Sequence, residues 1–291
     1  MTPPVRVLVT GGEGLVGSAV VRGLLDAGHP VTTLSLPGAD PHPGVRVVRG
    51  DARDAAAVRE ALADVEAVAH LAAIPNATDA EPEVVFANNA SATFTVLWTA
   101  AKAGVRRLVI AGSVNATGLI MNPAQVLPDR YPINENTRTA IADPYSLSKA
   151  TDELTLAAVC RRFGASGVAI RLPLMVSPEN DPFLAPWAAQ PDHMRMGAGD
   201  GWGWLDTRDG AEVFRLALTR EFGGAHVVGV AAPTTFQDSP TEELLDRFAP
   251  DVPRGARYPG RSVPVDTSRA RELLGFSPRY DDPPHRNAEA H

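Results

Sequence analysis

The segment Asp143-Pro144-Tyr145-Ser146-Leu147-Ser148-Lys149 sets a phenol and an ammonium four residues apart at the start of a helix-like stretch. On a helix that spacing puts both side chains on one face. A free phenol holds its proton to about pH 10, but a neighbouring cation favours the phenolate, so the pair can exchange a proton with a substrate hydroxyl. The lysine is conspicuous, because only Lys102 and Lys149 are Lys among the 27 Lys and Arg residues. A compact ammonium, not a planar guanidinium fork, suits this position. Upstream, the strand-like run 107–111 leads into Gly112-Ser113-Val114-Asn115, where the Ser113 hydroxyl can orient a substrate oxygen.

The second chemical motif lies at the other end of the chain. A strand-like run over 5–9 enters Thr10-Gly11-Gly12-Glu13-Gly14-Leu15-Val16-Gly17 and then a helix from Ser18 to Ala27. Gly11 permits a tight turn, Gly14 lets the backbone approach a pyrophosphate, and Gly17 permits close helix packing. The helix N-terminus offers free N–H groups and a positive dipole end to phosphates. This is the setting of a dinucleotide site, and the positive charge of an oxidised nicotinamide would further favour a Tyr145 phenolate. The second strand ends in Ser35, with neither an acid nor a neighbouring Arg to choose between cofactors, so both NAD and NADP stay open. Asp51, with Ala52, follows the third strand, where a carboxylate can accept from an adenine amino group or simply form a turn.

Short strand-like runs alternate with helical segments: strand 5–9, helix 15–27, strands 31–35 and 45–48, helix 54–63 and strand 66–70. A helix over 81–102, a strand over 107–111, a helix over 145–163 and a strand over 167–171 continue the rhythm. This βα alternation predicts an α/β, doubly wound Rossmann-type parallel sheet with a small C-terminal substrate-binding region. Residues 1–172 would form the dinucleotide domain and 173–280 a mixed substrate region with elements returning to the core. After Pro173 the pattern loosens into Pro, Gly and Trp, then resumes with a helix near 209–220, a strand near 225–230 and helices near 240–248 and 267–274. Residues 281–291 read as a disordered tail.

Composition narrows the partners. A formal charge of −7 argues against nucleic acid, which needs a concentrated basic surface. No apolar run approaches the roughly 20 residues that span a bilayer, and the first strand begins almost at Met1, so a cytoplasmic protein is expected. The single Cys160 reads as a small buried hydrophobe, and the seven His never form an i, i+4 pair, so no metal site is expected.

Taken together, TGGEGLVG at 10–17, GDARD at 50–54, HLAAIP at 70–75, Asn89 to Thr93, GSVNATG at 112–118, YSLSK at 145–149 and IRLP at 170–173 resemble the extended short-chain dehydrogenases/reductases, the NAD-dependent epimerase/dehydratase family. WLDTRD at 204–209 and SRARELLGFSP at 268–278 extend the likeness over nearly the whole chain. The resemblance implies Ser113, Tyr145 and Lys149 as the catalytic group, with Asn89 or Asn88 supporting the floor of the site. It implies dinucleotide contacts from Gly11, Gly14, Leu15, Val16, Gly17, Ser35, Asp51, Ala52, Leu71, Ala72 and Ala73 as well as Tyr145 and Lys149.

Two positions depart from the nucleotide-sugar pattern: Leu174 stands where many members carry an Asn, and Thr117-Gly118 where a Tyr-Gly is common. Partial similarity to the compact uronate dehydrogenases implies Arg171 as an anchor for a sugar carboxylate, with Ser113 and Asn115 also on the substrate. The expected function is hydride transfer between NAD(P) and a sugar, sugar acid or related alcohol. The alternatives are a nucleotide-sugar epimerase or dehydratase that retains its NAD, and a dinucleotide-sensing regulator without turnover. A homodimer built from the helices near 89–102 and 145–163 is expected by resemblance, with Trp98 either at that interface or in the core.

Overall fold

The computed structural model describes residues 3–288. The large sheet is parallel throughout. Its strands are β1 (Val7–Thr10), β2 (Val31–Ser35), β3 (Arg46–Arg49), β4 (Ala67–His70), β5 (Arg107–Ser113), β6 (Ser166–Leu172) and, later in the chain, β9 (Ala225–Gly229). They lie in the order β3-β2-β1-β4-β5-β6-β9. β1, β2 and β4 are buried along their whole length, as expected of strands covered on both faces. The chain leaves β1 toward β2 on one side and later resumes with β4 on the other. The strand order therefore reverses between β1 and β4, and a crevice opens there at the carboxyl ends of the strands.

One face is covered by α1 (Leu15–Asp26), α7 (Thr207–Thr219) and α9 (Ser268–Leu274), with Val20, Leu24, Phe214 and Leu274 in its core. The other is covered by α2 (Ala55–Ala61), α3 (Pro82–Lys102) and α4 (Pro144–Phe163), packed through Leu97, Val96, Leu156 and the buried Cys160. Burial pushes the Cys160 thiol up to about 11, so it stays protonated and acts as a hydrophobe.

The stretch after Pro173 is more ordered than its composition indicates. β7 (Leu174–Val176) pairs with β8 (Trp204–Asp206) in a separate two-stranded parallel sheet. Between them lie the short helices α5 (Asp181–Ala188) and α6 (Pro191–Met196). α8 (Thr241–Phe248) follows β9. The C-terminal segment departs from expectation, because α10 (Pro284–Ala288) docks on α5 instead of trailing as a tail. His285 Nδ1 lies 2.8 Å from the buried Asp181 Oδ1, and Arg261 pairs with Asp282 at 2.6 Å. The remainder of the expected tail, residues 289–291, lies outside the described residues. Within them, no helix is long and apolar enough to cross a membrane.

Candidate active site

The carboxyl ends of β1, β4, β5 and β6 open into a cleft of about 1050 Å³. One half is lined by Gly11, Gly14, Leu15, Val16 and Gly17, with Leu71 and Ala73 opposite. Gly11 adopts φ +70°, and a Cβ there would stand 2.7 Å from the backbone N of Ala72, so the turn and its close approach to the strand β4 loop require glycine. A Cβ on Gly14 would meet only Gly11 O at 3.4 Å, so its hydrogen face is open. An open glycine at a helix N-terminus is the cradle a pyrophosphate needs, and these residues fit a dinucleotide.

The centre of the cleft is set by α4. Asp143 caps the helix through Oδ1, which accepts from Ser146 N at 2.8 Å, and Pro144 occupies the first turn, where a missing N–H costs nothing. This fixes where Tyr145 and Lys149 enter, and both line the cleft with Ser113 and Asn115. Lys149 Nζ lies 5.8 Å from the centre of the Tyr145 ring, donates to Ala111 O at 3.1 Å and sits 3.4 Å from Asp152 Oδ2. The ammonium is buried, and those two acceptors hold it in place. Burial pushes the Asp152 carboxyl up, opposed by the nearby Lys149 charge. Ser113 Oγ accepts from Asn115 N at 3.1 Å, and Asn115 Oδ1 is buried without a hydrogen-bond partner. Asn115 thus lines the cleft while its side-chain oxygen is left as a buried unpaired acceptor, a costly arrangement in a folded protein.

Asn89, expected with the catalytic group as support for the floor of the site, is taken up by hydrogen bonds within the protein. Its Oδ1 accepts from Ile74 N at 2.8 Å, and its Nδ2 donates to Ile74 O at 3.0 Å and Ser148 Oγ at 3.2 Å. The fully buried amide thus ties the loop after β4 to α4. Asn88 Nδ2 donates to the same Asn89 Oδ1 at 3.1 Å. Beneath them His70, pushed down to about 3 by burial, is a neutral imidazole between Thr10 Oγ1 at 2.7 Å and Thr93 Oγ1 at 3.1 Å.

Three expectations need correction. Arg171 does not offer its fork to a substrate carboxylate, because Glu153 occupies it: Nε to Oε1 is 2.7 Å and Nη2 to Oε2 is 3.0 Å, both side chains largely buried. Nη1 donates to Glu135 O, and Arg171 lies outside the cleft lining. Asp51 is likewise engaged, since Arg53 binds both of its oxygens, the closest at 2.6 Å, and holds its carboxyl below the usual range. It serves the turn before α2, and Ala52 is packed in the core. Ser35, at the end of β2, is engaged as well, because its Oγ donates to Glu13 Oε1 of the glycine loop.

The far half of the cleft was not legible in the sequence. It is formed by Ile120, Met121, Leu174, Met175, Phe183, Leu184, Trp187, Met196, Trp202 and Phe236, with the polar groups of Asn180, His193, Asp200 and Gln237. Trp187 stacks on His193 with centroids 3.9 Å apart, and Phe183 is 79% exposed on α5. Burial pushes the Asp200 carboxyl up to about 7, opposed by the Trp202 N–H it accepts at 3.0 Å. No signal short of the fold could have gathered these residues, because they come from short elements and loops spread over more than a hundred positions.

A parallel sheet with its reversal beside a glycine loop, facing a Tyr/Lys pair, defines an NAD-binding short-chain dehydrogenase/reductase of the extended type. Residues 7–230 match the NAD dependent epimerase/dehydratase family, and the chain belongs to it. Along 95% of its length it is 29% identical to a UDP-glucose 4-epimerase of Streptomyces lividans, covering 92% of that protein. It is 32% identical over 69% of its length to a 2-alkyl-3-oxoalkanoate reductase of Stenotrophomonas maltophilia, of which 61% is covered. A short-chain dehydrogenase/reductase superfamily protein from Agrobacterium tumefaciens, solved with bound NAD, superposes with a TM-score of 0.69 at 25% identity, covering 94% of this chain and 93% of that one. The protein is an NAD-dependent enzyme of this family.

Proposed function

We propose that the enzyme is a net dehydrogenase or reductase that exchanges hydride between freely exchanging NAD and an uncharged hydroxy or keto compound. The observation that carries this reading is the charge of the cleft, whose lining contains a single Lys or Arg, Lys149. That ammonium is already held by Ala111 O and Asp152. A nucleoside diphosphate placed here would find no side-chain cation in the substrate half, and anions taken from water without a partner are costly. Apolar and aromatic walls with a few polar groups suit a neutral substrate instead. With Arg171 closed by Glu153, a sugar acid also loses its expected anchor.

In this reading Ser113 and Asn115 hold the substrate oxygen, Tyr145 carries its proton, and Lys149 keeps a positive charge beside the phenol. NAD, when bound along Gly11 to Gly17, supplies the acceptor or donor of hydride. The second reading, an epimerase that retains NAD, is favoured by the near-full-length match to a UDP-glucose 4-epimerase. Purified enzyme distinguishes them. We expect it to be largely free of dinucleotide and to change absorbance at 340 nm with NAD and neutral alcohols or ketones. Tightly bound NAD at purification, no net redox change and interconversion of a UDP- or dTDP-sugar would establish the epimerase instead.

The expected homodimer also belongs to this proposal. α3 and α4 pack on each other and expose Phe94 (50%) and Leu154 (72%), while Trp98 is partly buried between Phe94 at 5.3 Å and Phe163 at 5.0 Å. Two copies meeting on these helices would cover that apolar face. Light scattering at micromolar concentration should return twice the 30.7 kDa chain mass, and a monomer mass rejects the interface.

A further inference from the structure

We infer, on the reading that the substrate is an uncharged hydroxy or keto compound, that Asp200 is a specificity-determining residue whose carboxyl binds a second hydroxyl group of that substrate. Among the described residues that line the cleft it is the only carboxylic acid. The turn that carries it, after α6, leans on the loop beyond Ser113, since a Cβ on Gly199 would stand 3.2 Å from Ile120 N. Asp200 also borders a small cavity of about 30 Å³, shared with Thr117, Asn134, Glu135, Arg171 and Asp266. It therefore belongs to the wall between that cavity and the substrate half of the cleft.

The ionisable groups around Asp200 have partners within the protein. Arg171 is held by Glu153, Glu135 Oε1 accepts from Gly229 N at 2.7 Å, and Asp266 Oδ1 accepts from Ser268 N at 2.9 Å. The Tyr131 phenol donates to Ala198 O at 2.6 Å, His193 Nδ1 lies 2.7 Å from Trp187 O, and Lys149 is kept by Ala111 O and Asp152. Asp200 itself is met by backbone N–H groups alone, its own and that of Trp202 at 3.0 Å, and no cation pairs with it among the described residues. A carboxylate offers roughly four acceptor positions, so about half stay open to a ligand. The turn needs only a side-chain oxygen for Trp202 N, which an Asn would supply without the cost of burying an acid. Burial pushes the carboxyl up to about 7, so both of its forms are present near neutral pH. A hydroxyl serves each form, donating to the carboxylate and accepting from the acid, whereas an ammonium pairs only with the first and a carbonyl only with the second. Trp202, Met196 and Phe236 of the same half offer apolar surface to the carbon skeleton.

A matched pair of probes tests this on the full-length enzyme: cyclohexanol and the trans vicinal cyclohexanediol, which adds one hydroxyl beside the reacting one. Rates at 340 nm with NAD should give a kcat/KM at least about 10-fold higher for the diol, carried mainly by KM. Asp200→Asn keeps an acceptor for Trp202 N and removes the acid; it should cut that preference by at least about 5-fold while melting like the wild type. Binding of the two probes to the dead-end complex with NADH, followed by quenching of tryptophan fluorescence, reads the same preference without turnover. It decides the role of Asp200 even in an enzyme that shows no change at 340 nm, the result that would count against net hydride exchange. Equal affinity for the two probes, or no detectable binding of the diol, overturns the proposal, as does an undiminished preference in folded Asp200→Asn. Tighter binding of the matching trans amino alcohol than of the diol also overturns it, by making Asp200 an ammonium site.

Discussion

Replacing Tyr145 with Phe is expected to lower kcat by at least about 100-fold while changing dinucleotide affinity little, the pattern of a lost proton-transfer group. The ring packs in the first turn of α4, where the Asp143 cap and Pro144 set the helix start, and it is nearly buried. Phe fills the same volume and keeps those contacts, so the substitution subtracts one hydroxyl from the cleft and nothing else. Lys149 keeps both of its anchors, Ala111 O and Asp152, because neither involves the phenol. Initial rates at 340 nm with any active substrate, together with cofactor titration, separate the two effects. A variant with near-wild-type kcat would remove Tyr145 from the chemistry. One that loses cofactor binding instead would make the phenol part of the dinucleotide site alone.

The glycine loop supplies the second large effect, and the structure divides it between two positions. At Gly17 a Cβ would lie 1.9 Å from Gly11 O, 2.8 Å from Gly11 C and 3.0 Å from Gly12 Cα, all backbone atoms that have no rotamer to move. Gly17→Val must open the loop or push α1 off it. We expect loss of dinucleotide binding together with a melting temperature lower by about 3–10 °C, the scale of overpacking in a domain of this size. At Gly14 the nearest atom is Gly11 O at 3.4 Å, and the residue has an ordinary φ of −73°. Gly14→Val should therefore melt like the wild type yet bind NAD at least about 100-fold more weakly, because its side chain occupies the approach of the pyrophosphate. Melting curves and cofactor titrations of both variants check this. Equal destabilisation by the two would show that Gly14 serves the fold, and normal binding by folded Gly14→Val would place the dinucleotide elsewhere.

Part of this site could be read from local patterns. The alternation of buried four- and five-residue strands with helices of period 3.6 is written in short windows of sequence, and so are the Gly11, Gly14 and Gly17 spacing and the one-turn interval between Tyr145 and Lys149. Such features depend on neighbours within one element, where backbone geometry alone fixes which side chains share a face. The observed bounds differ from the expected ones by a residue or two, as with β1 at Val7–Thr10 instead of 5–9. The segment after Pro173 was less readable. Its helices α5 and α6 are short and proline-marked, and their order comes from packing, α5 on α10 and in one cluster with Val176 of β7 and Trp204 of β8, α6 on α5 and the turn at 197–199, rather than from a periodic face.

The sequence by itself determined the doubly wound class, the strand-loop-helix cradle and the Tyr145/Lys149 pair on one helix, because each is set by spacing along the chain. Only the tertiary structure decided which charges those elements leave for a ligand. Arg171 is neutralised by Glu153, 18 residues away, and Glu13 is brought to Ser35 across 22 residues. A buried or half-buried charge takes whatever partner the fold sets beside it, since leaving it unpaired costs more than any preference written in its own motif. The same holds for the apolar half of the cleft, whose walls from Ile120 to Phe236 become one surface only when β7, β8 and the helices between them fold over the ends of β5 and β6.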